Sequence, residues 1–415
     1  MANLSVVITP GAPVLRTITP GAPVPRTSNT GRHERGFTLV ELLVSMAITT
    51  VILASTMAAM NDAIKATDGA MLLVNMNNAL RTSMDLIVRD MLQVGQGLPA
   101  GRVIMIPSGV GALGIRLPGP PGTNLTLPGA AGLAATSFSA VVPGPGLGPA
   151  VNPGPNVPTD IITTLQADSA FEGMDITALN AAAGGSGSMV VSNVPPPAGQ
   201  TGGGTNISNN GPDDIRPGDL IMLTKASVSA LVHVTRVTGQ TVFFDTNDSL
   251  RLNQGNAAAD GSLFEYRTSA PSDAAPIVPP NLETNATRVR MITFYIDTLT
   301  TPGRPRLVRR LNSGDPMAFN NNLGTTVAFD IENLQISYDL ADGVTNPAGV
   351  KMTVADQNGT GRCAPNPCSR NNIRKVNIVL SGRSRVPTKG TRQFLRNRLQ
   401  TQVSLRSLAF VDRYQ

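Results

Sequence analysis

The longest uninterrupted apolar run starts at Phe37 and ends at Met60, with one charge, Glu41, and neither Pro nor Gly. As a helix it is about 36 Å long at 1.5 Å per residue, enough to cross a bilayer core of roughly 30 Å. Beyond it the pattern narrows. Leu73, Met76, Leu80, Met84, Ile87 and Met91 recur at steps of three and four, one apolar stripe on a helix that is otherwise polar. Arg81–Asp85 and Asp85–Arg89 set opposite charges four residues apart on the wet side. Gly95 and Gly97 end the pattern and Pro99 prevents its return. The spacing predicts one helix of about sixty residues, near 90 Å long, with Gly69 as its weak point.

After residue 95 the period shortens to two. Strands are expected at 160–166, 219–224, 230–237, 241–245, 288–297, 306–311, 326–340, 373–380 and 399–405. In the last, Leu399, Thr401, Val403 and Leu405 alternate with Gln400, Gln402 and Ser404, the pattern of a sheet with one buried face. Thr238-Gly239-Gln240 and Asp342-Gly343 read as hairpin turns. Two stretches, 95–158 and 184–218, are dense in Gly and Pro without a collagen period and read as loops carrying short strands such as 103–106. The fold class is α+β: a long N-terminal helix, then an antiparallel sheet with large Gly/Pro-rich loops. The expected divisions are a leader at 1–36, a membrane helix at 37–60, its continuation at 61–94, insertions at 95–218 and a β domain at 219–415.

Composition agrees with a turn-rich β body, since charged residues are 14% and aromatics 4%, with 41 Gly, 33 Pro and no Trp. The net charge of +6 is unevenly spread. The leader and the segment from Arg362 onward are basic, and the latter holds a single acid, Asp412, so 37–361 is acidic. Residues 8–27 hold a Pro-rich direct repeat, Ile8 to Thr17 and Ile18 to Thr27, which cannot form a packed core. The only two cysteines, Cys363 and Cys368, lie close together, which fits a small disulfide in an oxidising compartment; two free thiols are the alternative.

Gly36-Phe37-Thr38-Leu39-Val40-Glu41, behind the basic flank Arg32 to Arg35, resembles the class III signal sequence of type IV pilins and type II secretion pseudopilins. The resemblance implies a pilin-like fold, cleavage after Gly36 by a prepilin peptidase, and N-methylation of the new terminus, Phe37. An ordinary signal peptide places its cleavage site after a shorter apolar core, whereas here the site precedes the core. Glycine at 36 leaves the backbone open to a peptidase. The basic flank keeps the N-terminus in the cytoplasm and puts the rest of the chain in the periplasm. A lone carboxylate at Glu41 in apolar surroundings costs several kcal/mol; the resemblance supplies its partner, the α-amino group of a neighbouring subunit, which gives Glu41 a role in assembly. Ala79 to Leu92 and Ile331 to Leu340 resemble, more loosely, PilW-type minor pilins and, more distantly, J-type minor pseudopilins. The likeness covers 37–92 and parts of the last hundred residues. It implies a minor subunit that helps initiate or cap a type IV pilus or type II secretion pseudopilus. Its partners would be other minor and major pilins or pseudopilins, an inner-membrane assembly platform and the inner membrane itself.

Two other classes compete. Arg383, Arg385, Lys389 and Arg392 belong to a wholly positive run at 382–398 and are candidate polyanion-binding residues, for DNA above all. Only Phe394 lies among them to stack a base, which favours docking to another protein over nucleic acid. A membrane-anchored periplasmic enzyme is the other class. Beyond the leader the chain has one histidine, His233, in an apolar strand, with no nucleophile-elbow motif and no phosphate loop. Cys-x4-Cys alone is a weak zinc signal, and the calcium-like Asp245 to Asp248 has Leu250 where glycine is required. No catalytic residue, metal or cofactor is expected.

Overall fold

The computed structural model describes residues 36–98, 104–105, 115–120, 125–127, 137–151, 157–168, 176–181, 187–191, 215–225, 228–245, 248–253, 284–301, 303–312 and 324–409. The leader repeat and most of the Gly/Pro-rich stretches lie outside the described residues. The chain divides into two units, Met1–Asp62 and Ala63–Gln415, with the boundary inside one long helix, α1 (Leu39–Leu92).

In the first unit every described residue is exposed, including Phe37, Leu39, Leu43, Val51 and Leu53. An apolar surface of this kind is unstable in water and calls for lipid or a protein partner. Its hydroxyl side chains are already satisfied locally. Ser45 Oγ donates to Leu42 O (2.9 Å), Thr49 Oγ1 to Ser45 O (2.7 Å), Thr50 Oγ1 to Ala47 O (2.8 Å) and Ser55 Oγ to Ile52 O (2.8 Å). The hydroxyls therefore add no unmet hydrogen bond to a helix surrounded by hydrocarbon.

In the second unit α1 buries Met76, Leu80, Ser83, Met84, Ile87, Asp90 and Met91. Leu73, the first residue of the expected stripe, is 41% exposed, so the packed face begins one turn later. The five buried apolar side chains among these contribute on the order of 10 kcal/mol of gross stabilisation. Arg81, Asp85 and Arg89 form no ion pair among the described residues, in keeping with how little exposed i, i+4 pairs are worth. The helix ends at Leu92, and the turn after it carries Gly95 and Gly97, both at positive φ (78° and 69°). A Cβ at Gly97 would come 2.5 Å from that of Ala167, and Gly95 N donates to Leu165 O (2.9 Å), so the exit is fastened to a strand.

That strand, Ile161–Ala167, belongs to a nine-stranded sheet whose spine is Thr284–Asp297. The spine pairs antiparallel with Leu220–Lys225 along 284–289, with Ile161–Ala167 along 289–294 and with Arg306–Leu311 along 292–297. Strands from both sides of residue 218 thus share one sheet. One bridge, Met105 with Ala230, is parallel. The expected strand at 230–237 is broken at Val234 and Thr235. Val228–His233 stays in the large sheet, while Arg236–Thr238 turns at Gly239 into Thr241–Phe244 and joins a four-stranded sheet with Ile176–Ala181 and Gly187–Val191.

The expected strand at 326–340 is likewise two. Thr325–Phe329 ends the large sheet, Asp330 turns at φ 63°, and Ile331–Leu340 starts a three-stranded sheet with Ile373–Arg383 and Arg396–Ser404. Aspartate tolerates this left-handed corner better than a β-branched residue, and Arg304 holds it through a 2.7 Å ion pair. The buried faces of this terminal sheet, including Leu334, Ile336, Val376, Ile378 and Leu380, meet the stripe of α1 and Ile292, Phe294 and Ile296 of the spine in one apolar cluster. The protein is therefore α+β, a long apolar N-terminal helix followed by antiparallel sheets.

Candidate functional site

Two regions carry the residues singled out by the sequence. At the first, Gly36 to Thr38 precede the helix in open backbone, and Phe37 is 85% exposed. A Cβ at Gly36 would meet nothing within 4 Å, so no contact in this chain requires glycine there. Thr38 then caps the helix. Its Oγ1 accepts from Glu41 N (3.3 Å), while Thr38 N and Oγ1 both donate to Glu41 Oε2 (3.0 Å each). This reciprocal arrangement is a capping box, which satisfies helix-terminal N–H groups that have no intrahelical acceptor. Glu41 thus has a partner inside its own chain through one oxygen. The Thr-x-x-Glu spacing at 38–41 is the signal that reveals it, and the expectation that Glu41 stands alone overlooks it.

The second region is the terminal hairpin. Residues 384–395 join its last two strands in an ordered tip, in which Thr388 N donates to Gln393 O and Arg392 N to Thr388 O (2.9 Å each). Arg383, Arg385, Lys389 and Arg392 all lie at or beside this tip but differ in what they face. Arg383 donates to Glu332 Oε1 (3.3 Å) and to Gly303 O, and covers the Phe394 ring with its guanidinium carbon 4.4 Å from the centroid. Arg396 completes the clamp on Glu332 through Oε2 (2.8 Å). Glu332, 2% exposed, is thereby tied to all three strands of the sheet. Lys389 Nζ lies 2.7 Å from Asp68 Oδ2 on α1. Arg385 and Arg392 are exposed and form no ion pair among the described residues. Cations of the basic segment that precede this run are also held internally: Arg362 donates to Ala348 O and Gly349 O, Arg370 to Gln357 Oε1, and Arg374 to Asn371 O and Ile373 O. Burial lowers the pKa of Arg370 and Arg374. Glu332 and Asp68 have no local sequence signal, because their partners lie 51 and 64 residues away in one case and 321 in the other.

Cys363 and Cys368 are disulfide-bonded, with Cα atoms 5.5 Å apart. The turn that leads into their loop is organised by Asp356, whose carboxylate accepts from Thr353 N and Oγ1 (2.9 Å each) and Arg362 N (2.8 Å), and whose carbonyl accepts from Cys368 N (3.0 Å). Burial works to raise the pKa of Asp356, but these hydrogen bonds outweigh it and hold the carboxyl below its usual range. His233, 3% exposed, sits with Nδ1 3.3 Å from Asp248 Oδ2. Asp248 in turn accepts from the backbone N–H groups of Leu250, Leu252 and Asn253, so the pair organises a buried loop. Among the described residues no group of three or more His, Cys, Asp or Glu is placed to hold a metal ion.

Residues 31–57 match the family model described as the prokaryotic N-terminal methylation motif. The match spans the basic flank, the Gly36–Phe37 junction, the capping box and most of the apolar run. No curated protein and no solved structure matches the chain. The motif is the class III signal of type IV prepilins and supports a type IV pilin-like protein. Such a signal implies processing by a prepilin peptidase and assembly with other pilins, and the proteins that carry it are typically structural rather than enzymatic. Among the described residues one helix is long and apolar enough to cross a membrane, and it begins within the match.

Proposed function

We propose that this protein is a minor pilin or pseudopilin, a structural subunit that helps initiate or cap a type IV pilus or a type II secretion pseudopilus. The observation that carries the reading is the coincidence, within 31–57, of the methylation motif with the start of a long helix whose apolar residues up to Met60 are all exposed. On this reading a prepilin peptidase cuts after Gly36 and Phe37 is N-methylated. The helix then anchors the chain in the inner membrane with the body in the periplasm, until an assembly platform moves it into the filament. Glu41 pairs with the α-amino group of a neighbouring subunit. The capping box leaves it able to do so, because Oε1 accepts no hydrogen bond among the described residues. The large β body and the resemblance of Ala79 to Leu92 and Ile331 to Leu340 to PilW-type and J-type subunits favour a minor over a major role.

The test is capture of the full chain from crosslinked membranes of the native cells, followed by identification of its neighbours. Recovery of other prepilin-derived subunits and a polytopic platform protein supports the reading. A chain that crosslinks only to soluble proteins refutes it.

A further inference from the structure

The terminal hairpin runs along the part of α1 that belongs to the second unit, with its tip beside the first turns of that part. Gly382 lies against Leu80, Asn397 Nδ2 donates to Asn77 Oδ1 (2.7 Å), and Lys389 reaches back to Asp68. The groove between tip and helix extends to Lys65. Lys65 is five residues beyond Met60, and five residues span at most about 17 Å even when fully extended. Chain connectivity alone therefore bounds the distance between the Lys65 end of the groove and the end of the apolar run.

The tip is built like a surface contact. It contains no acid, and it exposes Arg385, Lys389 and Arg392 beside Val386, which is 49% exposed, and Pro387. It is held rigid at its base, where Ser384 Oγ donates to Val386 O (2.7 Å) and accepts from Leu395 N (3.0 Å). The nearby acids are accounted for: Glu332 is clamped by Arg383 and Arg396, and Asp68 meets Lys389 in an exposed pair. The groove, of about 580 Å³, is floored mainly by apolar Met71, Leu72, Pro387 and Leu395. Cations around an apolar floor suit an amphiphile better than a nucleic acid, which needs stacking platforms.

We propose that the 384–395 tip is a membrane-surface contact. Arg385, Lys389 and Arg392 bind the phosphates of anionic phospholipids in the leaflet from which the helix emerges, and Val386 and Pro387 rest at the interface. The inference rests on the membrane insertion of 37–60 proposed above. Each Lys or Arg held near an anionic lipid surface is worth about fivefold in occupancy, so the three together contribute roughly a hundredfold.

The test uses the full chain reconstituted in vesicles, with a fluorescent label on Gly390→Cys, a position where a side chain meets nothing within 4 Å. A reference label goes on Thr345→Cys in another exposed loop. A quencher attached to lipid headgroups reports contact. Quenching at 390, but not at 345, should be strong in phosphatidylglycerol vesicles and weak in phosphatidylcholine. It should fade in 1 M salt, where the Debye length is about 3 Å, and fall in R385Q/K389Q/R392Q, whose fold is checked by its melting curve. Alkaline carbonate extraction separates the two ways of failing. A chain released by carbonate overturns the membrane reading and this inference together. An embedded chain whose label at 390 is quenched no more than the label at 345 overturns the tip contact alone, and one quenched equally in both lipids overturns the assignment to anionic lipid. Duplex DNA that shields the label in phosphatidylcholine vesicles assigns the cations to nucleic acid and overturns the lipid assignment.

Discussion

The clamp on Glu332 gives the sharpest stability prediction. Its side chain is 1% exposed, that of Arg383 14% and that of Arg396 37%. Glu332→Gln keeps the shape and one acceptor but removes the charge that both guanidinium groups face. Breaking a buried ion pair by removing one partner costs about 3–5 kcal/mol. Arg396 is exposed enough to hydrate once released, so its share is discounted and the lower end, about 3 kcal/mol, is expected. In domains of 150–250 residues each kcal/mol moves Tm by roughly 2–4 °C. The second unit is larger, which reduces the shift, so a fall of about 5 °C is predicted. The assay is a thermal melt of the full chain in detergent, followed by near-ultraviolet circular dichroism at fixed protein concentration. Asp68→Asn is the control, because the Lys389 pair it breaks is 70% and 43% exposed and should contribute little. The loss in Glu332→Gln should persist in high salt, since buried pairs are weakly screened. A melt within about 1 °C of wild type, or no different from Asp68→Asn, refutes the reasoning.

Glu41→Gln separates the cap from the charge: Gln still closes a capping box, so membrane insertion and helix content should match wild type while incorporation among other pilins falls as in Glu41→Ala. Equal incorporation of the Gln variant would reduce Glu41 to a helix cap. The Cys363–Cys368 bridge closes a loop of six residues and should stabilise the body by about 2 kcal/mol on the chain-entropy model. Unreduced mass spectrometry should find the pair linked, and two alkylatable thiols in freshly isolated material would contradict it. Asp356 has a folded pKa below its unfolded value. Its contribution is therefore fully present above about pH 4 and is lost as pH falls through the lower folded value. The difference in Tm between wild type and Asp356→Asn should shrink from pH 6 to pH 3; a constant difference would mean that the carboxylate charge is not what the loop uses.

The helix and most strands were legible because they follow from periodicity: the stripe from Met76 to Met91 and the alternation in Arg396–Ser404 each answer to one buried face. The breaks at Asp330 and at Val234 were not legible. Both are places where the chain passes from one sheet to another, and both flanking runs keep strand-like composition across the corner. Asp330 takes the positive φ because its own ion pair and backbone hydrogen bonds fix it, which no local pattern announces. At the candidate site, the Thr38–Glu41 cap was readable from spacing alone. The fate of the basic run was not, because whether Arg383 or Arg385 is free depends on Glu332, and that pairing exists only once the three terminal strands are aligned.

Processing and use as a pilin would leave their mark at the N-terminus of the mature chain. Intact mass and N-terminal peptide analysis of the protein isolated from native membranes should show a chain beginning at Phe37, with the α-amino group carrying one methyl. Gly36→Leu should leave the leader attached, since Gly36 touches nothing else that would suffer from the change. A mature protein that retains Arg35, or one cut beyond Met60, would contradict the account.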